Sequence, residues 1–363
     1  MSTDIVITGA GALSAAIVQA LLPPALGSGL RVALLSRASD RLWWLARCAA
    51  ARAAGLGSRI HVEAQAVDWE DGASLCRTLR RLQPRLVLHT ASLQSPWALS
   101  GADDWSNLVR VAGYGLTLPL HLLLAWRLGR VLSDAAPGAL FVNACYPDAV
   151  NPMLRAAGIP VLCGLGNVGI LALLMATDLK KGAGEMHMIA HHCHVAGAIS
   201  GAPASFDYLH AWYEGRRVDR QAREWARKAF FPSDARLNDV TGVLGATLAS
   251  SLLGLRDSLA THLPGPLGFP GGYPVQVSRG EVRLRLPAEL TESDAIGLNI
   301  SASAYDGVVV ERDGVASMIE PARARVRAAL PGCIELDKPM RAAEAEPRAS
   351  LLLAARASLR GRD

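Results

Sequence analysis

Lysine is scarce in this chain of 363 residues: only four of its 37 basic residues are lysines, and the rest are arginines. The formal net charge is +5, and no basic run alternates with aromatic residues, so the composition argues against nucleic-acid binding. We attribute the preference for arginine and alanine to a GC-rich bacterial genome.

The chain also lacks Cys-x-x-Cys spacing. Its cysteines are scattered, at Cys48, Cys76, Cys145, Cys163, Cys193 and Cys333, which is typical of reduced thiols in a cytoplasmic protein. The first four residues lead directly into an apolar run, without a basic segment or a cleavage site. We therefore expect a protein that is not exported.

Charge is absent over the 22 residues from Ala156 to Thr177, a length that could cross a membrane. Glycine and proline interrupt the first half of this segment, at Gly158, Pro160, Gly164 and Gly166. The pattern predicts a buried strand at 159–163, a glycine loop and a helix from near Val168, and no membrane span.

Apolar strands alternate with helical segments through the first 160 residues. Strands are predicted at Ile5–Thr8, Arg31–Leu35, Ile60–Ala66, Leu86–Thr90 and Ala139–Asn143. The helices between them are predicted at Ala15–Leu22 (ended by Pro23-Pro24), Ser39–Ala54, Gly72–Leu82 and, as one long helix, Trp105–Leu132. Repeated strand, crossover and strand units predict an α/β fold with an N-terminal Rossmann-type, doubly wound parallel sheet.

Beyond about residue 183, strands and helices cluster instead of alternating. The predicted elements are a strand at Met186–Val195, helices at Val218–Phe231 and Val240–Leu255, and a hairpin at Tyr273–Leu286. We expect a dinucleotide-binding domain at 1–150, a catalytic α+β domain at 151–338, and a tail at 339–363 that is a surface helix or disordered.

A glycine turn follows the first strand and opens the first helix: Gly9-Ala-Gly11-Ala-Leu-Ser14. Two glycines allow a tight turn and a close approach of a pyrophosphate to the helix N-terminus, where unpaired amides favour negative charge. The predicted dinucleotide contacts are Gly9, Gly11, Ala12 and Leu13, with Thr90, Ala91 and Asn143 at neighbouring strand ends.

The end of the second strand bears on the choice between NADP and NAD. NAD-binding chains place an acidic residue there, whereas this chain reads Leu35-Ser36-Arg37, with Arg41 one turn further on. A hydroxyl and guanidinium groups suit a 2′-phosphate, so NADP is favoured over NAD. Alternatively, Arg37 and Arg41 are ordinary solvated charges at a helix start.

The segment from Asn143 to His194 resembles the active-site half of the lactate/malate dehydrogenases. Asn143 after the fifth strand, Gly158-Ile-Pro160, Gly164-Leu-Gly166 and Ala190-His-His-Cys193 follow in the family's order and spacing. Leu290-Thr-Glu292 resembles the start of that family's last helix. The resemblance implies that Asn143 contacts substrate and nicotinamide and that His192 is the general acid/base.

The departures from that family are as informative as the matches. Val168–Leu174 stands where the family has its substrate arginine and the aspartate partner of its histidine, and it contains no ionisable residue. The loop Ser92–Ser100 likewise lacks the family's arginines. Because a guanidinium is the usual partner of a carboxylate, a small 2-hydroxy acid is an unsuitable substrate.

Several polar residues remain near the expected site. His192 is the predicted acid/base, because imidazole titrates near working pH; Asp148 is predicted to replace the missing aspartate. The candidate catalytic residues are His192, Asn143, Tyr146, Asp148, His194 and His191. In the alternative interpretation, the histidines are satisfied structural residues on a half-buried strand.

Three other interpretations stay open. On an extended chain His192 and His194 would share a face and could bind a metal with Cys163 or Cys145, as in the NAD- and manganese-dependent glycosidases. Thr8-Gly9 and Val67-Asp68 are similar to short-chain dehydrogenases, but no Tyr-x-x-x-Lys is present. Finally, the fold could serve as a scaffold without catalysis.

The favoured hypothesis is an NADP- or NAD-dependent oxidoreductase without a metal. It acts on a ketone, an imine or a carrier- or peptide-bound substrate of specialised metabolism. By analogy with the dehydrogenases we also expect a homo-oligomer, a dimer or tetramer, paired through the apolar helix Val240–Leu255.

Overall fold

The computed structural model describes residues 2–23, 29–99 and 101–360. Pro24 of the predicted helix stop, Ser100 of the predicted loop and residues 361–363 of the tail lie outside the described residues. The statements that follow apply to the described part of the chain.

Six parallel strands form the central sheet, in the order β3-β2-β1-β4-β5-β6. They are β1 (Ile5–Thr8), β2 (Arg31–Ser36), β3 (His61–Ala66), β4 (Leu86–His89), β5 (Leu140–Asn143) and β6 (Val161–Gly164). Every residue of β1 and β4 is buried, as expected for central strands covered on both faces. The strand order reverses between β1 and β4, and the crevice at such a point binds ligands in open α/β sheets. The predicted doubly wound parallel sheet is confirmed.

Among the described residues, seven helices surround or follow these strands. They are α1 (Ala12–Leu21), α2 (Asp40–Gly55), α3 (Gly72–Leu82), α4 (Asp104–Ala112), α5 (Leu118–Ala135), α6 (Pro147–Ala156) and α7 (Val168–Asp178). Because β6 belongs to the parallel sheet, the sheet continues past residue 150, at which we placed the end of the first domain.

The predicted single helix from Trp105 to Leu132 is wrong, because α4 and α5 are separated by a 3₁₀ turn at Tyr114–Thr117. The two segments are bent by 118°. Gly113 allows this break: its φ is +97°, and a Cβ there would lie 2.3 Å from the carbonyl oxygen of Asp306. The bend therefore brings Tyr114 against the loop that contains Asp306.

The C-terminal half is an α+β arrangement, as predicted. Its antiparallel strands are β7 (Met186–Ile189), β8 (His210–Tyr213) and β9 (Arg216–Arg217); β10 (Leu259–Pro264), β11 (Gly272–Ser278) and β12 (Glu281–Leu284); and β13 (Val308–Val310) with β14 (Ala316–Met318). Its helices are α8 (His192–Ser200), α9 (Asp219–Lys228), α10 (Asn238–Leu252), α11 (Glu292–Ser303), α12 (Glu320–Ala329) and α13 (Ala345–Arg360).

The predicted strand from Met186 to Val195 is wrong beyond Ile189, because α8 begins at His192. Two polar side chains satisfy amides at this helix start, which otherwise lack partners. The His192 amide donates to Asp148 Oδ1 at 2.9 Å, and the His191 amide donates to His194 Nδ1 at 2.8 Å. The first partner lies 44 residues away in the sequence, so local periodicity could not reveal it.

Helix α10 packs closely against α1 of the same chain. A Cβ on Gly242 would lie 2.7 Å from the backbone of Ala16, and one on Gly245 would lie 3.0 Å from Ile17. The glycines thus permit helix contact that buries part of the apolar surface expected at a subunit interface. The oligomeric state stays a prediction.

Among the described residues, no single helix is long and apolar enough to cross a membrane. The bent pair Asp104–Ala112 and Tyr114–Ala135 meets the length and composition criteria only when its two parts are taken together.

Candidate active site

A cavity of about 1620 Å³ lies at the carboxyl ends of the parallel strands and extends to residues of the C-terminal half. Thr8, His89 and Asn143 are register partners at this edge, on β1, β4 and β5. The loops that follow these strands line the cavity. The site thus begins at the strand-order reversal and ends against α8.

The glycine turn forms one end of the cavity. Gly9, Gly11, Ala12 and Leu13 line it, together with Thr90 and Ala91. Gly9 has φ +105°, and a Cβ there would lie 3.0 Å from Thr90 Oγ1. Gly11 precedes α1 without a side-chain cap, and a Cβ on it would meet nothing within 4 Å. The turn therefore leaves an open, anion-attracting cradle at the start of α1.

Ser36, Arg37 and Arg41 line the same end of the cavity, and both arginines are exposed. Ser39 between them is used structurally: its Oγ accepts the Leu42 amide at 3.3 Å, at the start of α2. Asp68, which the sequence places after β3, also lines this end. The structure thus gathers every predicted dinucleotide contact except Asn143.

His192 lies at the other end of the cavity and is paired with a carboxylate that the sequence did not indicate. Its Nδ1 lies 3.0 Å from each carboxylate oxygen of Asp306. Its side chain is 14% exposed, whereas that of Asp306 is 2% exposed. In the described chain Nε2 has no hydrogen-bond partner, so it is the nitrogen available to a ligand.

The charges of this pair reinforce each other. Burial alone would lower the pKa of His192, but the charge and hydrogen bond of Asp306, with the charge of Asp148, raise it above 6.5. Burial alone would raise the pKa of Asp306, but His192 and His191 hold it well below 3.8. Each charge therefore stabilises the other, so the contact favours the protonated form of the imidazole and the ionised form of the carboxylate.

Two tyrosines fix this pair. The Tyr146 hydroxyl donates to Asp306 Oδ2 at 3.1 Å, and the Tyr114 ring stacks on the His192 ring with centroids 4.3 Å apart. Tyr114 Oη also lies 2.9 Å from His121 Nε2. Tyr114, His121, Tyr146, His192 and Asp306 all line the cavity, and we call these five residues the His192 cluster.

Asp148 does not orient the His192 ring, so that prediction is wrong. Its Oδ1 accepts the backbone amide of His192, and its Oδ2 accepts Asn167 Nδ2. It is fully buried behind the cavity, and burial raises its pKa above 3.8 despite the opposing charges of His191 and His192. The hydrogen bond between Asp148 and Asn167 holds Asn167, whose φ is +39°, at the start of α7.

Asn143 is not presented to a ligand, contrary to the prediction. Its Nδ2 donates to Asn151 Oδ1 at 2.8 Å and to the Cys145 carbonyl at 3.2 Å. Its Oδ1 accepts the Cys145 amide at 2.9 Å. Because its hydrogen-bonding groups are used inside the protein, Asn143 supports the turn that leads to Tyr146.

His191 and His194 are buried and do not line the cavity, so the structure does not place their side chains where a ligand would bind. His191 Nδ1 lies 3.2 Å from Asp306 Oδ2, without hydrogen-bond alignment. Burial lowers the pKa of His194 to about 3, so this residue is neutral. The prediction that His192 and His194 share one face of a strand, as a metal pair would require, is also wrong, because both residues lie in the first turn of α8. No group of three or more potential metal ligands occurs in the described part of the chain.

The C-terminal helix holds the loop after β4 against the cavity. Arg356 Nη1 donates to the Leu93 carbonyl at 2.9 Å and to Gln94 Oε1 at 3.0 Å. Arg360 Nη2 donates to the Ala98 carbonyl at 2.8 Å. Trp97 of this loop and Leu353 of α13 both line the cavity, so the predicted tail contributes to the site.

No protein-family model matches the chain, and no curated protein sequence does. Three solved structures illustrate what its fold is similar to. The apo malate dehydrogenase of Picrophilus torridus has a TM-score of 0.53 at 12% identity, over 84% of this chain and 97% of that chain. The lactate dehydrogenase of Eimeria maxima with NADH and oxamate has a TM-score of 0.53 at 13% identity, over 84% and 93%. The malate dehydrogenase of Plasmodium falciparum has a TM-score of 0.52 at 12% identity, over 84% and 97%. At such low identities the likeness establishes the fold, and the predicted lactate/malate dehydrogenase-like fold is confirmed.

The sequence interpretation missed Asp306, Tyr114 and His121. Asp306 precedes Gly307 just after a helix, a pattern typical of a turn, and nothing local indicates a partner. The one usable signal in the sequence is the pair of glycines Gly113 and Gly307. The structure shows that both have positive φ. A Cβ on Gly307 would lie 2.1 Å from the Ala112 carbonyl oxygen, so these glycines allow the two loops to meet.

Proposed function

We propose that the protein is an NADP- or NAD-dependent oxidoreductase that uses His192 as its general acid/base. The observation that carries this proposal is one continuous cavity, with a glycine turn at one end and the His192–Asp306 pair at the other. The similar Eimeria maxima enzyme is described with NADH, which supports a nicotinamide cofactor.

The residues at the glycine turn fit a dinucleotide. The amides at the start of α1 would hold the pyrophosphate, and the open space at Gly11 would admit it. Ser36, Arg37 and Arg41 would hold a 2′-phosphate, which favours NADP. The cofactor, when bound, supplies or accepts a hydride.

His192 supplies the proton in this proposal. Asp306 keeps Nδ1 as a donor and stabilises the charged ring, so that Nε2–H faces the substrate. Tyr114 holds the ring plane by stacking, and Tyr146 holds the carboxylate. In the reverse direction, neutral Nε2 accepts the proton.

The proposed substrate is a ketone, an imine or a carrier- or peptide-bound group, and not a small 2-hydroxy acid. The α7 segment beside the site presents Ile170 to the cavity where the family resemblance implies a charged residue. Trp97 adds a further apolar surface. These side chains favour organic groups over a compact anion.

Titration with NADPH and NADH tests the proposal, with the fluorescence of Trp69 and Trp97 as the readout, since both line the cavity. We expect saturable binding, tighter for NADPH, and nucleotide oxidation with a panel of ketones and imines. If neither nucleotide binds, the oxidoreductase proposal is wrong, and the fold serves as a scaffold without catalysis.

A further inference from the structure

Asn238 is a buried side chain whose polar atoms make no contact within the fold. It is the first residue of α10, is 7% exposed and lines the cavity. No hydrogen bond joins its side chain to another described residue. Because the little surface that Asn238 exposes lies at the cavity, its Nδ2 and Oδ1 are available to a ligand. Buried polar side chains nearly always have a partner, so this one indicates a ligand group.

Two further uncharged polar side chains lie beside Asn238. Thr241, one turn along α10, is 5% exposed and lines the cavity, and its Oγ1 donates to a carbonyl of the preceding turn at 3.4 Å. A Cβ on Gly166 would lie 3.7 Å from Thr241 Cγ2, so the turn before α7 adjoins α10. Asn167 in this turn also lines the cavity. Its Nδ2 donates to Asp148, whereas its Oδ1 has no hydrogen-bond partner among the described residues.

These three side chains are connected to the catalytic end of the cavity. One oxygen of Asp148 accepts Asn167 Nδ2, and the other accepts the backbone amide of His192 at 2.9 Å. Helix α7, which begins next to Asn167, packs against both α8 and α10. A substrate at His192 Nε2 would therefore extend along this side of the cavity towards Asn238.

The open polar atoms of this subsite match an uncharged amide. The acceptors are Asn238 Oδ1, Asn167 Oδ1 and Thr241 Oγ1, and the donor is Asn238 Nδ2. An amide presents an N–H and a C=O together, so it pairs with both kinds of atom. A carboxylate only accepts, and a ketone likewise leaves the acceptors without partners. Because α7, α8 and α10 contain no arginine or lysine, they provide no counter-charge for a carboxylate.

We propose that Asn238, assisted by Thr241 and Asn167, determines specificity for a substrate with a peptide-type amide in addition to its reacting C=O or C=N group. This inference rests on the proposed function for the position of the reacting group at His192. The substrate N–H donates to Asn238 Oδ1, and the substrate C=O accepts Asn238 Nδ2. Among the substrates proposed above, those bound to a peptide or to an amide-linked carrier have this group.

Two probes that differ in a single group test this selection: N-methylbenzamide, and propiophenone, in which a CH2 replaces the N–H. Both are titrated by calorimetry into the nucleotide-free protein. We expect N-methylbenzamide to bind at least about fivefold more tightly, although the ketone is the more hydrophobic probe. The side-chain amide NMR signal of Asn238, assigned by its absence in Asn238→Leu, should shift with N-methylbenzamide. Equal binding of the two probes, or an unmoved Asn238 signal, would overturn the proposal.

Asn238→Leu keeps the approximate size of the side chain and removes its polar atoms. We expect the preference for N-methylbenzamide over propiophenone to fall at least about fivefold. The matched control is Asn107→Leu, outside the cavity lining, which should leave the preference unchanged. Asn238→Ala, which adds no bulk, takes its place if Asn238→Leu does not fold. An unchanged preference in the folded variant would contradict the role of Asn238.

Titration with NADPH separates this inference from the proposed function. Asn238→Leu should leave the NADPH dissociation constant within about twofold of that of the unaltered protein. Weaker NADPH binding with an unchanged probe preference would overturn the inference, because Asn238 would then serve the cofactor and not the substrate. Failure of the unaltered protein to bind either nucleotide would contradict only the proposed function, because the probe titrations need no nucleotide.

Discussion

The two ends of the cavity are built in different ways. The glycine turn and the start of α1 come from one continuous segment, Thr8–Ser14, whose backbone conformation follows from local geometry. The catalytic end is assembled from distant residues: His192 and Asp306 are 114 positions apart, and Tyr146 and Asp306 are 160 apart. The first end can be recognised from a motif, whereas the second depends on tertiary packing.

The largest expected effect separates the two ends directly. His192→Gln should lower turnover by about 10²- to 10⁴-fold, the usual contribution of a general acid/base. It should leave the NADPH dissociation constant within about twofold, since His192 is remote from the glycine turn. The matched control His187→Gln, on β7 and outside the cavity, should keep full turnover. Unchanged turnover in His192→Gln would remove this residue from the mechanism.

Substitutions at the nucleotide end should instead change nucleotide binding. Arg37→Ala combined with Arg41→Ala should weaken NADPH binding at least about tenfold and leave NADH binding within about twofold, because only NADPH has the 2′-phosphate. Arg47→Ala, on the exposed side of α2, is the control. Equal weakening of NADPH and NADH binding would show that these arginines do not recognise the 2′-phosphate.

A smaller effect is expected at α13, the helix that holds the loop after β4 against the cavity. Arg356→Ala removes the bonds to Leu93 and Gln94, and one charged hydrogen bond is worth about 1.5–3 kcal/mol. Amide hydrogen exchange across residues 92–99 should accelerate roughly tenfold, and the substrate KM should rise with kcat nearly unchanged. Arg256→Ala at an exposed loop is the control. Unaltered exchange would mean that the loop holds its position without α13.

The sequence accounts well for the sheet and the glycine turn, because the strands are short apolar runs separated by glycine and by helical periodicity. The sequence-based prediction fails at α8, where histidines among apolar residues give a pattern that resembles the alternation of a strand. That helix starts because Asp148 satisfies the His192 amide from a distant segment. Asn143 has the expected position in the chain, but local bonds to Cys145 and Asn151 turn it inward.

The central claim is that Asp306, from the loop after α11, is the carboxylate partner of His192. An NMR titration of the His192 imidazole in the unaltered protein and in Asp306→Asn tests it most directly, with His192→Gln to assign the signal. The unaltered protein should show a His192 pKa above 6.5, so that the acid form persists to higher pH. Asp306→Asn should lower that pKa, because burial then acts with less opposing charge, and the high-pH limb of the reductive turnover should move to lower pH with it. A His192 pKa that is the same in both proteins would contradict the claim.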